Sequence, residues 1–161
     1  MGPVGTSMMS ERSWAISSED EFTSVRNPLL HPYSNSLVVI ASGHLPWIEA
    51  VADRLNQLSS LLANWDSYGS EPMKRGTVEK GLRLLLEAMP DNAPAPQTVP
   101  TSDGGLQFEW NRDDLDLEVE INEEGIVSYL ITDGDQETED EGEFFAIVPE
   151  IRSLLKKFQP S

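Results

Sequence analysis

Carboxylates alternate with apolar residues in the segment LDLEVEI, and one more lies between Phe and Trp in the segment LQFEW. Because side chains alternate between the two faces of a β-strand, this spacing places Glu109, Asp116, Glu118 and Glu120 on one face of a predicted sheet. When these strands are paired with GIVSYLI through four-residue connectors, Tyr129 falls on the same face. These five residues are the predicted partner-binding surface, because an acidic face with an aromatic anchor suits a basic protein.

A second candidate site is the stretch NWDSYGSEP, residues 64–72. Asp66 is a carboxylate that can serve as an acid, a base or a hydrogen-bond acceptor, and Tyr68 adds a phenol two residues later. Trp65 supplies a large aromatic surface beside them. The same residues also suit a turn between two helices, in which Asp66 accepts backbone hydrogen bonds and Gly69 takes a positive φ. The structural interpretation is favoured, with Trp65 and Tyr68 closing one end of the core.

Other kinds of chemistry find little support in the sequence. The chain has no cysteine, which excludes disulfides, thiolate metal sites and a cysteine nucleophile. His31 and His44 do not form a pair at zinc-ligand spacing, and Ser42 near His44 lacks a nucleophile-elbow pattern. The acidic run after Asp133 lacks the glycine that a calcium loop needs at its sixth position. We therefore expect no catalytic residues, no metal and no cofactor, and a non-catalytic protein is favoured.

The charge of the chain is concentrated in one region. The formal net charge is −17, and residues 101–150 hold seventeen acids and one base, so the rest of the chain is nearly neutral. Such a surface repels nucleic acid and anionic lipid and attracts basic proteins. We therefore expect a basic partner protein, no direct contact with nucleic acid and no contact with a membrane, while the oligomeric state stays open. The plainer alternative is that the acids only keep a small protein in solution.

Two helices are predicted ahead of the acidic region. Apolar residues recur at steps of three and four in residues 45–64 and again in residues 73–89, which is typical of amphipathic helices. Pro72 suits the first turn of the second helix, with Ser70 or Glu71 as its cap. Residues 90–100 hold several prolines and predict a linker.

From Gly105 the hydrophobic period changes to two. Strands are predicted at 106–110, 115–121 and 126–131, and short turn-forming connectors make them an antiparallel meander. The segment ETEDEGEFF predicts a weak acidic edge strand. Helical spacing returns in AIVPEIRSLLKKF, with Pro149 as an alternative start.

Together these elements predict an α+β fold: two N-terminal helices packed on one face of a three- to four-stranded antiparallel meander, plus a C-terminal helix. The predicted domain spans residues 36–159, with a strand or buried lead-in at 36–41 and a flexible arm at 1–30. The sequence shows no apolar run long enough to cross a membrane and no secretory signal. With the lack of cysteine, this predicts a cytoplasmic protein.

Two motifs carry a resemblance to known proteins. The first reads W-D-x-Y-G-x-x-P and the second reads D-G-G-x-x-x-E-W. Their residues in this chain are Trp65, Asp66, Tyr68, Gly69 and Pro72, then Asp103, Gly104, Gly105, Glu109 and Trp110. With the acidic strand that follows, they make the chain resemble a family of small uncharacterised bacterial proteins, over about residues 58–130. The resemblance implies a small accessory product and no particular activity.

Three functions remain open from the sequence. The first is a non-catalytic module with an antitoxin-like, immunity-like or regulatory role that docks a basic partner protein. The second is a nucleic-acid mimic that inhibits a DNA- or RNA-binding protein, for which the acids should form two rows. The third is a small enzyme around Trp65, Asp66 and Tyr68, for which Asp66 should lie in a deep pocket beside another titratable group.

Overall fold

A computed structural model describes residues 45–160 of the chain. The predicted arm at 1–30 and the predicted strand at 36–41 lie outside the described residues. His31, Ser42 and His44 lie outside them as well.

Three helices and one five-stranded sheet make up the described part of the chain. The helices are α1 (Ile48–Ser59), α2 (Arg75–Ala88) and α3 (Phe144–Leu155), with a short 3₁₀ turn at Lys156–Phe158. The strands are β1 (Gln97–Pro100), β2 (Leu106–Arg112), β3 (Leu115–Ile121), β4 (Val127–Asp133) and β5 (Gln136–Gly142). They are antiparallel and lie in the order β1-β2-β3-β4-β5. The predicted combination of helices with an antiparallel meander is confirmed, but the number of strands is five rather than three or four.

Helix α1 ends at Ser59, earlier than the apolar stripe to residue 64 predicts. The hydroxyls of Ser59 and Ser60 donate to the carbonyls of Asn56 and Gln57 at 2.8 and 2.6 Å. These bonds satisfy carbonyls at the end of the helix and favour its termination there.

Helix α2 begins at Arg75, and neither Ser70, Glu71 nor Pro72 has its predicted role at the helix start. The N-cap residue is Lys74, which is extended and makes no side-chain cap. The Glu71 N–H instead donates to the Ser102 carbonyl at 2.9 Å, which keeps this connector extended against the β1–β2 turn.

Gly81 lies where α2 contacts the sheet. A Cβ atom there would lie 2.5 Å from Leu106 Cδ2 and 3.2 Å from Phe108 Cζ. Glycine costs a helix interior about 1 kcal/mol relative to alanine, but here it lets the helix approach the strand closely. Gly76 lies near the start of the same helix, and a Cβ atom there would meet no other part of the chain within 4 Å.

The predicted proline-rich linker contains a strand, so that prediction is wrong in part. Residues Gln97–Pro100 form β1 and pair with β2, with Pro100 opposite Leu106. A proline is tolerated at the edge of a sheet, where its missing N–H faces away from the neighbouring strand. The Trp110 Nε1–H donates to the Pro94 carbonyl at 3.1 Å and ties the preceding loop to β2.

The weak acidic edge strand is a regular strand of seven residues, β5. Helix α3 follows it at once and begins at Phe144, earlier than either predicted start. Phe144 is buried, which anchors the first turn in the core. Pro149 lies inside the helix and removes one backbone donor from it.

The register between β2 and β3 differs from the predicted one by two residues. Trp110 lies opposite Leu117, not Leu115, because the connecting turn has two residues, Asp113 and Asp114, instead of four. Asp113 adopts a positive φ of 54°, which such a tight turn requires. A shift of two leaves every side chain on its predicted face.

The register between β3 and β4 differs by one residue, and this has a larger effect. Ile121 lies opposite Val127 instead of Ile126. The Asn122 side-chain oxygen accepts the N–H groups of Glu124 and Ile126 at 3.0 and 2.9 Å, which holds Ile126 inside the loop. A slip of one residue exchanges the two faces of a strand, so β4 is reversed relative to the prediction.

The helices cover one face of the sheet. Helix α1 contacts β1, α2 contacts β2 and β3, and α3 contacts β4 and β5. We call this the covered face. Its buried side chains are Leu106, Phe108, Trp110, Leu117, Val119, Ile121, Val127, Tyr129 and Ile131. They form a single hydrophobic core with the apolar stripes of the helices.

Candidate functional site

None of the three described helices lies against the other face of the sheet, and we call it the uncovered face. The register of the strands places seven carboxylates there and no Lys or Arg among the described strand residues. The seven are Glu109, Asp116, Glu118, Glu120, Glu137, Glu139 and Glu141. The four acids predicted from the sequence therefore do share one face.

Tyr129 does not belong to this surface, which corrects the predicted partner-binding set. The shift of one residue in the β3–β4 register turns its side chain to the covered face, where it is 4% exposed. Its hydroxyl donates to Glu150 Oε1 on α3 at 2.8 Å. Burial, together with the hydrogen bond to Glu150 and the negative charge of Glu150 and Asp140, raises the pKa of Tyr129 to about 12. The residue that faces outward in its place is Leu130, which is half-buried.

The acids of the uncovered face form two rows with a neutral row between them. Asp116, Glu118 and Glu120 alternate along β3, and Glu137, Glu139 and Glu141 alternate along β5. Ser128, Leu130 and Thr132 of β4 lie between the rows. Side chains two residues apart on a strand are about 6.8 Å apart, and rows separated by one strand are about 10 Å apart. The face is therefore a regular array of negative charge around a small apolar centre.

The middle of this face is concave. The depression has a volume of about 530 Å³. The lining side chains that belong to the uncovered face are Gln107, Glu118, Glu120, Ser128, Leu130, Glu139 and Glu141. A concave surface with one sign of charge concentrates its electric field and attracts ligands of the opposite charge.

Side-chain amides satisfy some of these carboxylates without neutralising them. The Gln107 amide donates to Glu109 Oε1 at 3.0 Å and to Glu118 Oε2 at 3.2 Å. The Asn111 amide donates to Asp116 Oδ1 at 2.7 Å. These bonds fix the positions of the carboxylates and leave their charge in place.

The pKa of Glu120 reflects its position in this surface. Partial burial raises the pKa of its carboxyl group, and the nearby charges of Asp103 and Glu118 raise it further. Asp103 lies in the β1–β2 turn, where a hydrogen bond from the Thr101 hydroxyl lowers the pKa of its own carboxyl. The acidic surface thus extends from the sheet to this turn.

The cations of the described chain are found on other parts of the surface. Arg75 pairs with Glu79 at 2.9 Å and Arg83 pairs with Glu87 at 2.8 Å, both along α2. Arg83 also lies over the ring of Phe145, 5.0 Å from its centroid. The acids of α2 therefore have cationic partners, whereas those of the uncovered face have none among the described residues.

The second predicted site, residues 64–72, is a tightly hydrogen-bonded loop. Asn64, Ser67 and Gly69 adopt positive φ angles of 64°, 67° and 93°. The Asp66 carboxylate accepts the N–H groups of Tyr68 and Ser70 at 2.8 and 3.2 Å, as predicted for a turn residue. The Asn64 side-chain oxygen accepts the Gly69 N–H at 2.8 Å. Several independent bonds hold this strained backbone in one conformation.

The three candidate side chains of this loop do not come together in a cleft. Trp65 is half-buried and its Nε1–H donates to the Glu71 carbonyl at 3.3 Å. Tyr68 is 94% exposed, so the prediction that it closes the core is wrong. The nearby Ser70 hydroxyl and the N–H groups of Tyr68 and Ser70 lower the pKa of Asp66, the opposite of what an acid or base working near neutral pH needs. This geometry favours a structural loop over an enzyme site.

The two motifs that carry the family resemblance contact each other. The Glu71 N–H donates to the Ser102 carbonyl, and a Cβ at Gly104 would lie 3.0 Å from the Pro72 carbonyl oxygen. Gly104 also has a φ of +85°, so glycine is required there on both grounds. Glu109 lies on the uncovered face and Trp110 is buried on the covered face. The motifs therefore hold the β1–β2 turn, just before the start of β2, against the connector between α1 and α2.

The partner-binding residues predicted from the sequence lack Glu137, Glu139 and Glu141. Their alternation in QETEDEG is the signal that identifies them, because period-two acids on an edge strand share one face. Within residues 45–160, no group of three or more His, Asp or Glu side chains is arranged to hold a metal ion. No helix in the same part of the chain has the length and apolar character needed to span a membrane.

A comparison of the chain with protein-family models, curated proteins and solved structures finds no match. The family resemblance therefore stays a prediction from the two motifs, and the site has to be interpreted from its own geometry.

Proposed function

We propose that this protein is a non-catalytic interaction module that binds a basic partner protein on the uncovered face of its sheet. The observation that carries the proposal is the distribution of charge: seven carboxylates and no Lys or Arg on that face of the described strands. Like charges that lie opposite each other in a sheet are destabilising. Folding alone gives no reason for this arrangement, whereas a cationic ligand relieves it.

Binding on this face would combine long-range attraction with a small apolar contact. The electric field of the concave surface accelerates association with a basic partner, and rising salt weakens it. Leu130 provides an apolar contact near the centre of the depression, in the place predicted for Tyr129. An antitoxin-like, immunity-like or regulatory accessory role requires no more than such binding. The lack of cysteine is compatible with a cytoplasmic location, which we keep as part of the proposal.

A capture experiment with two variants of equal charge tests the proposal. The face variant carries Glu109→Gln, Asp116→Asn, Glu118→Gln and Glu120→Gln. The control variant neutralises four acids elsewhere, Glu49→Gln, Asp53→Asn, Glu79→Gln and Glu124→Gln. Proteins from the native host are captured on each at low and high salt, and the captured basic protein is then purified and its Kd measured.

We expect the face variant to bind at least about tenfold more weakly than wild type, because contacts between close charge pairs contribute more than 1.4 kcal/mol in total. The control variant has the same net charge and should stay within about threefold of wild type. Equal affinity of the two variants would show that only the net charge matters and would contradict a specific surface.

A nucleic-acid mimic is a second candidate, favoured by the two rows of three carboxylates on β3 and β5. In that case the partner's own nucleic-acid site would receive the rows. A competition experiment distinguishes a nucleic-acid mimic from simple docking. Duplex DNA or RNA added to the purified complex should release the partner if this protein is a mimic. If saturating nucleic acid binds the partner without releasing this protein, the mimic is excluded and simple docking remains.

A further inference from the structure

The two edges of the sheet differ in whether another strand can pair with them. At the β1 edge, the Thr101 N–H donates to the Gly105 carbonyl, so the backbone groups of Thr101 point towards β2. Because backbone groups point to alternate sides along a strand, those of Thr98 and Pro100 point away from β2. The Thr98 carbonyl already accepts a hydrogen bond from Arg54 Nε at 3.0 Å, and Pro100 has no N–H. This edge is therefore closed to a further strand.

The β5 edge has the opposite character. The Gly134 N–H donates to the Asp114 carbonyl at 2.9 Å, towards β3. Because the backbone groups of successive residues point to alternate sides of a strand, the N–H and carbonyl of Asp133 point towards β5. Those of its partner Gln136 point towards β4. Glu137 then faces outward. The residues of β5 that direct their N–H and carbonyl groups away from the sheet are Glu137, Glu139 and Glu141.

Most of these outward groups have no hydrogen-bond partner in the part of the chain that the structure describes. The Glu141 N–H donates to Asp140 Oδ1 at 2.8 Å, which ends the free edge at that position. Glu137 and Glu139 keep both backbone groups, and Glu141 keeps its carbonyl. The strand is regular over all seven pairs with β4, has no proline, and its first six residues are exposed. Within residues 45–160, nothing prevents an extended segment from pairing along it.

The side chains of β5 decide what kind of segment fits. Glu137, Glu139 and Glu141 lie on the uncovered face beside the β3 acids, and Asp140 lies on the other face. A second copy of the chain would place carboxylates opposite carboxylates, which is destabilising. A segment with Lys or Arg at alternate positions would instead place opposite charges across the new strand pair.

We propose that the basic partner adds an extended segment to the β5 edge as a sixth strand, with Lys or Arg at alternate positions turned to the uncovered face. This rests on the proposed function, because both require a cationic partner, and it specifies how that partner is held. Backbone hydrogen bonds to Glu137 and Glu139 would fix the segment, and the carboxylates would select its charge.

The test uses the full chain and two synthetic peptides. The first peptide is Lys-Thr-Lys-Thr-Lys-Thr-Lys with blocked ends, and the second is the same peptide with all its internal backbone nitrogens methylated. Both have the same charge, but the second lacks the internal backbone donors and cannot form a ladder. Affinity and amide hydrogen exchange at Glu137, Glu139 and Thr98 are measured by NMR at low salt, first without peptide over a range of protein concentrations.

We expect the unmethylated peptide to bind at least tenfold more tightly and to slow exchange at Glu137 and Glu139 but not at Thr98. Equal binding of the two peptides would overturn strand addition and leave electrostatic docking on the uncovered face intact. Absence of binding by either peptide would contradict both proposals. Slow exchange at Glu137 in the free protein that is lost on dilution would show that a second copy occupies the edge, which also overturns this proposal.

Discussion

The covered and uncovered faces of the sheet are built from alternate residues of the same strands, yet they follow different rules. Phe108 faces the helices and is fully buried, while its neighbour Glu109 faces outward and lies opposite Glu118, another acid. The covered face is explained by the burial of apolar area. The uncovered face brings like charges together and has no such explanation.

This difference separates the residues that the fold needs from those that are available for binding. Side chains on the covered face are constrained by close packing, so their truncation should destabilise the protein. Acids on the uncovered face are constrained by nothing in the described core. Their replacement should change binding while leaving stability nearly the same or slightly higher.

The largest effect is expected from Phe108→Ala on the covered face. Removal of a buried aromatic side chain should lower the free energy of unfolding by about 3–5 kcal/mol. The adjacent Glu109→Gln should change it by less than about 0.5 kcal/mol. Urea denaturation measures both, and equal losses for the two variants would contradict the distinction between the faces.

Gly81→Ala should have the next largest effect on the free energy of unfolding. The added methyl group would meet Leu106 and Phe108, and overpacking of this kind costs about 1–3 kcal/mol against a gain of about 1 kcal/mol in helix propensity. We expect a net loss of stability. Gly76→Ala in the same helix has open space and should gain up to about 1 kcal/mol, so a gain at both positions would mean that α2 can move away from the sheet.

Tyr129→Phe tests the corrected position of Tyr129. The variant loses the hydrogen bond to Glu150, which should cost about 0.5–1.5 kcal/mol. Because burial and the contact with Glu150 raise the pKa of Tyr129 to about 12, its phenolate absorbance should appear only in the last step of an alkaline titration. That step should be absent in the variant. If the wild-type protein instead ionises Tyr129 at an ordinary tyrosine pKa, the phenol is exposed and Tyr129 lies on the uncovered face.

Glu120→Gln should give a smaller effect that depends on pH. The folded-state pKa of Glu120 is raised, so the folded state holds this proton more tightly and loses stability as pH rises above the ordinary pKa of 4.5. The variant should therefore be more stable than wild type at pH 7, by a few tenths to about 1 kcal/mol. The difference should shrink as pH falls towards 4. A difference independent of pH would contradict the raised pKa of Glu120, caused by burial and by the charges of Asp103 and Glu118, as its origin.

Tyr68→Ala should have the smallest effect on stability. Its side chain is 94% exposed, so the free energy of unfolding should change by less than about 0.5 kcal/mol. Trp65→Ala in the same loop should cost more, because Trp65 is half-buried and donates to the Glu71 carbonyl. A large loss at Tyr68 would mean that it packs against the core in solution.

Local pattern predicted much of this molecule. The change from helical to period-two spacing at Gly105 marks the true start of the main strands, and the alternation of Glu109, Asp116, Glu118 and Glu120 placed them correctly on one face. Asp66 and Gly69 were correctly assigned to turn roles, because Asp side chains accept nearby backbone hydrogen bonds and glycine tolerates positive φ. These are properties of a few neighbouring residues.

The predictions were wrong at positions whose conformation depends on residues far away in the sequence. The strand β1 consists of four residues in a proline-rich stretch and exists only because β2 lies beside it. The orientation of β4 depends on whether Ile126 belongs to the loop, which the Asn122 side chain decides. The exposure of Tyr68 depends on how the loop of residues 64–72 is held, which includes the contact of Glu71 with the β1–β2 turn.

The sequence by itself determined the strand period, the apolar stripes of the helices and the acidity of residues 101–150, because each depends on residue type and spacing alone. Only the tertiary structure decided which face β4 presents and that the acids of β3 and β5 form two rows. It also decided that, among the described residues, the β1 edge is closed while the β5 edge keeps free backbone groups. The physical reason is that strand pairing joins residues far apart in sequence, and one residue more or less in a loop exchanges the two faces of the strand that follows.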